Sequence, residues 1–309
     1  MKLVVVGSVA LDTVETPFGR TEDALGGSAT YFSLASRLFS PVGIVGVVGT
    51  DFSRAHVDML DAHRVDTSGL VTMPGKTFRW SGRYDFDLNT AHTLDTQLNV
   101  FAEFHPHLPE SYRKAEYLFL GNIAPELQLD VLSQVERPKF IALDTMNFWI
   151  SGKRDALTDV IRRVNAVLIN EGEARQYANT YSLMQAARDI MALGPKVVVI
   201  KKGEYGCVLF MKDCYFVTPA YPLETVKDPT GAGDSFAGAF MGYIARADDL
   251  SETTLRKAIV HGSVVASYTC EDFGVERLRT LDRNSIAERF GEFRRFTHFE
   301  EEGETISWQ

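Results

Sequence analysis

The chain has 309 residues, 45% hydrophobic and 24% charged, with a formal net charge of −9. That length supports one large core, or a main domain with a smaller one attached. No apolar run is long enough to span a membrane, and no Lys/Arg block suggests a nucleic-acid surface; an anionic small molecule stays open, because local loops of an acidic protein can be electropositive.

The opening "MKLVVVGSVALD" has one lysine before a short apolar run that ends in Asp12, and reads as a buried first strand rather than a secretion signal. The polar, interrupted "TVETPFGRT" does not belong to the same buried sheet. Gly26 and Gly27 then open a helix over "SATYFSLASRLF". "VGIVGVVG" returns as a strand and "SRAHVDMLDAH" as a helix.

The stretch "KTFRWSGRYDFDLNTAHTLDTQLNVFAEF" is aromatic and rich in β-formers, and lacks a helix-sized crossover. It predicts short antiparallel strands with one face open. Residues 12–20 and 77–104 are expected to form a small sheet projecting from the body. Its apolar face would cover a ligand or meet a second copy of the chain in a homodimer.

"YLFLG", "KFIALD", "NAVLIN" and "KVVVIKKG" follow as short buried strands, separated by helical "ELQLDVLSQV", "RDALTDVIRRV" and "SLMQAARDIMAL". Such alternation predicts parallel βαβ units, and strands this apolar suit a sheet covered on both faces. Cys207, Cys214 and Cys270 form no zinc or disulfide pattern and read as reduced thiols of a cytoplasmic protein.

"DPTGAGDSFAGAF" places Gly231, Ala232 and Gly233 before an apolar helix that carries Asp234 in its first turn. Free N–H groups there can converge on an anion, and glycine lets ligand oxygens approach. A carboxylate at the same point would repel a phosphate unless it takes the proton of an attacking hydroxyl. Taken alone, the motif reads better as a turn with a helix cap.

Together with Gly26–Gly27, "NEGE" at 170–173 and "KKGEYG" at 201–206, this segment resembles the ribokinase/PfkB superfamily of sugar and nucleoside kinases over nearly the whole chain. The resemblance implies a single ribokinase-like domain over 1–309: a three-layer α/β/α body with a predominantly parallel sheet and a small β-sheet lid. It implies transfer of the γ-phosphoryl group of ATP to an alcohol, with Asp234 as base and Gly231, Ala232 and Gly233 as anion hole.

By the same resemblance, Asn170 and Glu173 organise Mg2+ and phosphates, partly through water. They also fit a strand end followed by a helix cap. Asp12, Gly26 and Gly27 are expected on the acceptor side. Gly203 and Gly206 match a nucleotide-side pattern. Lys202 stands where the family has a small hydroxyl residue, and either reaches phosphate or faces water. Asp228 shapes the anion loop or a monovalent-cation site for an ion such as K+. His261 borders the adenine or is an ordinary helix histidine.

Acceptor identity departs from the ribokinase pattern. Tyr31 replaces an asparagine expected after the glycine pair, with Ser28 and Thr30 as compensating hydroxyls. In the lid, Trp80, Tyr84 and Phe86 would cover a base or a polyol, or else pack the lid or a dimer seam. Arg79 and Arg83 would meet a substrate phosphate, although a sugar-phosphate kinase calls for a firmer cluster than these two. Asp144, with Asn147 beyond it, would orient ATP or acceptor, or form a turn. A sugar or polyol kinase is the favoured expectation, with a nucleoside kinase acting on the ribose 5′-hydroxyl close behind. A noncatalytic nucleotide- or sugar-sensing binding protein is the alternative from another class.

Overall fold

All four residues of the first strand, β1 (Leu3–Val6), are 0% exposed. Leu3 and Val5 enter one hydrophobic core, and Val4 and Val6 the other. Successive strand side chains point to opposite faces, so burial of all four requires cover on both. Fully burying such side chains contributes about 1.5–3 kcal/mol each. The first core takes side chains from the helices Ser28–Ser36, Ala232–Ala247 and Glu252–Thr269. The second takes them from Pro125–Gln134, Arg154–Ile161 and Leu183–Met191. The result is three layers.

The computed structural model describes residues 1–298. After β1 come β2 (Ala10–Thr16), β3 (Gly19–Gly26), β4 (Val42–Gly49), β5 (Val65–Met73), β6 (Phe78–Tyr84) and β7 (Ala91–Gln97). Then follow β8 (Tyr117–Leu120), β9 (Phe140–Asp144), β10 (Ala166–Asn170), β11 (Val197–Lys201), β12 (Cys207–Phe210) and β13 (Tyr215–Thr218). The main sheet has nine strands in the order β13-β12-β11-β10-β9-β8-β1-β4-β5. Its strands pair in parallel from β11 to β5, and β12 and β13 add an antiparallel edge. The chain leaves β1 for β4 and β5 on one side and returns to β8 on the other. In open α/β sheets ligands are bound outside the carboxyl ends of the strands at such a switch point.

The lid is a separate four-stranded sheet, β3-β2-β6-β7. It extends to Gly26, beyond the expected 12–20. The opening segment is also not one strand: the chain changes sheets at Gly7–Val9, so Asp12 lies within a lid strand rather than at the end of β1. Reciprocal bonds fix the break. Ser8 N–H donates to Ser28 Oγ (3.1 Å) and Ser28 N–H to Ser8 Oγ (3.0 Å), which staples the end of β1 to the helix start. Both the N–H and the hydroxyl of Ser28 are thus engaged in the fold. Among the described residues no helix is long and apolar enough to cross a membrane.

Candidate active site

The carboxyl ends of β9, β10 and β11 bring Asp144, Asn170 and Lys201 to one rim. The helix Ala232–Ala247 presents Gly231, Gly233 and Asp234 to the same place. Gly231 has φ +75°, a left-handed conformation that suits glycine, and a Cβ there would stand 2.4 Å from the Tyr31 ring. The loop therefore sits directly on that ring. Ala232 N–H donates to Pro229 O (3.1 Å) and Ser235 N–H to Gly231 O (2.8 Å). Gly233 N–H has no backbone acceptor among the described residues. Ala232 N–H is thus used to shape the turn, while Gly233 N–H is left without an acceptor among the described residues and is available to a ligand.

Asp234 faces the rim. Burial pushes its carboxyl up to about 7, Asp144 adds to the rise, and Lys201 opposes it. Asp12 is likewise raised to about 7 by burial, against the pull of the Gly27 N–H, with Asp228 and Asp234 adding repulsion. A Cβ on Gly26 would lie 1.9 Å from Asp12 Oδ2, so only glycine fits beside this carboxylate. Gly27 caps the following helix and sets its entry from the lid.

Asp228 is spent on its own loop: Oδ1 accepts from Thr230 N–H (2.8 Å) and Oδ2 from Gly274 N–H (3.3 Å). It holds the anion loop against the turn before the helix Glu276–Thr280.

Asn170 and Glu173 form a reciprocal capping box. Glu173 N–H donates to Asn170 Oδ1 (2.8 Å), and Asn170 N–H to Glu173 Oε2 (3.0 Å). The residues expected to serve Mg2+ and phosphate are therefore the ones that make the local cap. Burial and Asp144 raise Glu173 to about 7, with Lys201 and Asn170 pulling the other way. No group of three or more His, Cys, Asp or Glu among the described residues is placed to hold a metal. Glu173 and Asn170 offer one carboxylate and one amide oxygen at the rim, a donor set that suits Mg2+ kept largely hydrated and held through water and phosphate oxygens.

The inward-facing lysine is Lys201, which sequence reasoning passed over in favour of its neighbour. Its Nζ lies 3.0 Å from Asp144 Oδ2, and a Cβ on Gly233 would stand 3.2 Å from Nζ. Lys202 closes the Gly203–Gly206 turn through its backbone, donating N–H to Gly206 O (2.7 Å).

In the lid, Asp12 pairs in register with Trp80, and Val14 with Gly82, so these residues share a sheet face. The Trp80 ring lies over Gly82, and its Nε1–H donates to Thr93 Oγ1 (3.2 Å). Tyr84, two residues on, accepts from Thr230 Oγ1 (3.3 Å), which turns this face toward the anion loop. Phe86 is 81% exposed and lies outside the site. Arg79 is occupied: its Nε is 3.1 Å from Asp23 Oδ1 and an Nη 2.8 Å from Asp51 Oδ2. It ties the lid to the body instead of waiting for phosphate.

Tyr31 is 1% exposed, and its hydroxyl has no hydrogen-bond partner among the described residues. Burial, then Asp12, Asp228, Tyr84 and Asp234, raise its pKa, which places the phenol among the site's carboxylates.

His261 is not gathered here. It stacks on Tyr243 and Phe290, both at 4.5 Å between ring centroids. Ser263, about 200° further round the helix, is the residue turned to Cys207 of the sheet. Helical phase thus carries the histidine into a separate aromatic cluster. Burial, with Arg246 and Lys257 nearby, lowers it to about 4.

A family model described as pfkB family carbohydrate kinase matches residues 2–280. The chain is similar to a cytidine kinase of Thermococcus kodakarensis, with 33% identity over 258 residues, 82% of this chain and 91% of the relative. Its fold is similar to that of a nucleoside kinase of Methanocaldococcus jannaschii (TM-score 0.77, 20% identity, 94% of this chain and 99% of the other). It is also similar to a nucleoside kinase of Burkholderia thailandensis in complex with ADP-inosine (TM-score 0.79, 17% identity, 99% and 100%).

Proposed function

The chain belongs to the pfkB family of carbohydrate kinases, ATP-dependent enzymes acting on small sugars or nucleosides, and from that premise we propose that it is a nucleoside kinase. The observation that carries this reading over a sugar or polyol kinase is the near full-length likeness to the cytidine kinase. The lid agrees with it. Trp80 shares a face with Asp12, which would set an aromatic surface for a base beside a carboxylate for ribose hydroxyls.

Bound ATP would supply the phosphoryl group, and Mg2+ would offset its charge. Asp12 accepts hydrogen bonds from the acceptor's hydroxyls and orients the sugar. Asp234 takes the proton of the attacking 5′-hydroxyl. The free Gly233 N–H and the start of its helix face the oxygens of the transferring group. Asn170 and Glu173 would hold waters around the metal.

The experiment incubates the protein and Mg-ATP with cytidine, uridine, adenosine, inosine, ribose, fructose and myo-inositol, with and without K+, and reads products by mass spectrometry. A nucleoside monophosphate as the dominant product is expected, with cytidine the first acceptor to try. Phosphorylation of the free sugars or inositol alone overturns the nucleoside reading. K+-dependent turnover would place a monovalent cation in the mechanism.

Asp12→Asn is expected to raise the KM for the nucleoside about tenfold or more and to leave the KM for ATP within twofold. One buried hydrogen bond to a charged acceptor contributes about 1.5–3 kcal/mol. Steady-state kinetics with each substrate varied check the split.

A further inference from the structure

Lys201 is the feature whose geometry is least accounted for by the fold. An ammonium carries three donors. Among the described residues the structure uses one, to Asp144 Oδ2 at 3.0 Å. The side chain is only 16% exposed, so the other two donors have little access to water. They lie beside Gly233, where the absence of a Cβ leaves room for a ligand. Burial tends to discharge this amine, but Asp144, Glu173 and Asp234 outweigh it and hold the lysine in its charged form.

A purely structural ion pair is the competing account. It needs one carboxylate and a protein acceptor for each remaining donor. Here three carboxylates act on the ammonium, and two of its donors remain free at the glycine rim.

We infer that the Lys201 ammonium is a catalytic cation that donates to the γ-phosphoryl oxygens of a nucleoside triphosphate seated at Gly233. Asp144 serves as its positioning residue. The acceptor oxygen–phosphorus bond forms as the bond to the ADP oxygen breaks. The hydroxyl proton goes to Asp234, and Lys201 keeps all of its protons throughout. A charge fixed at this point stabilises the transferring group without reorganisation. The assignment rests on the kinase reading of the site and is independent of which acceptor is used.

The test measures calorimetric binding of the imido analogue of ATP, of ADP and of AMP, each with Mg2+ and without acceptor. For Lys201→Met, affinity for the triphosphate analogue is expected to fall at least tenfold, while AMP affinity stays within twofold and so reports an intact fold. Turnover is expected to fall about a hundredfold, and Lys201→Arg to recover a large part of both losses. The double variant Lys201→Met/Asp144→Asn removes both charges of the pair and is expected to stay impaired.

Equal loss for all three nucleotides, or recovery of wild-type turnover in the double variant, would make Lys201 only the counter-ion of Asp144 and overturn the inference. Failure of the wild type to bind the triphosphate analogue would overturn it as well. If the wild type phosphorylates sugars but no nucleoside, the acceptor reading fails while the nucleotide-binding result still decides Lys201.

Discussion

Asp234→Asn is expected to lower turnover a thousandfold or more while the folded protein still binds Mg-ATP. A positioned general base contributes typically about 10²–10⁴ in rate, and no other carboxylate stands in the first turn of the helix that carries Gly233. The asparagine keeps the shape and hydrogen-bonding span of the side chain but cannot take a proton.

The pH dependence follows from the direction of the shift. Asp234 is raised to about 7, and only its ionised form accepts the hydroxyl proton, so wild-type kcat/KM is expected to fall as pH drops below about 7. Asp12 is raised to the same range and acts on nucleoside binding, so the two are separated in kcat at saturating nucleoside, where Asp12→Asn keeps the acid limb and the residual activity of Asp234→Asn lacks it.

Stability moves the opposite way. A carboxyl raised in the folded state is ionised in the unfolded chain from about pH 4 upward, so folding forfeits that ionisation between pH 4 and 7. The asparagine variant escapes this cost. Without ligands it is expected to be more stable than the wild type by roughly 2–4 kcal/mol at pH 8, an advantage that shrinks toward zero as pH falls from 7 to 4. Thermal denaturation across that range checks the sign. A variant that is inactive and also less stable at pH 8 would identify Asp234 as a structural cap instead.

The parts of the candidate site that sequence brings together are those whose members lie close together in the chain. Asp234 and the glycines before it occupy one turn, and Asn170 and Glu173 one capping box. Local geometry alone brings these groups together. Parallel strands of the main sheet were legible for a related reason, since their continuous apolar runs report cover on both faces.

What sequence could not supply was phase. Lys201 and Lys202 are indistinguishable in "KKG", and only the register of β11 beside β10 sets Lys201 opposite Asn170 at the rim. For His261 the choice between an adenine border and an ordinary helix histidine falls to the second, because helical phase sets it in an aromatic cluster while Ser263, about 200° round, faces the sheet. The end of β1 was misread because "VVVGSVALD" stays apolar across a change of sheet. The signal for that change is the Ser8–Ser28 staple, a contact across twenty residues. Arg79 looked like an anion receptor because its partners, Asp23 and Asp51, lie far away in sequence.

Gly231→Ala is expected to cost about a hundredfold or more in kcat/KM, chiefly by moving the anion loop. Two separate effects meet at this residue. The left-handed backbone, φ +75°, costs an alanine roughly 1–2 kcal/mol. The added methyl would stand 2.4 Å from Tyr31 ring carbons, and the ring cannot withdraw because Tyr31 is 1% exposed within the core. The loop must then lift, and Gly233 and Asp234 lift with it. Displacements of about 1 Å at a reacting centre are enough for losses of this size.

Gly231→Asn separates the two effects. Asparagine tolerates the left-handed conformation but keeps the methylene at the Cβ position. If contact with Tyr31 dominates, asparagine is as damaging as alanine. If backbone strain dominates, asparagine restores most of the activity. Near wild-type kcat/KM in both variants would mean that the loop position does not set the chemistry, and the anion hole would have to be sought elsewhere along the rim.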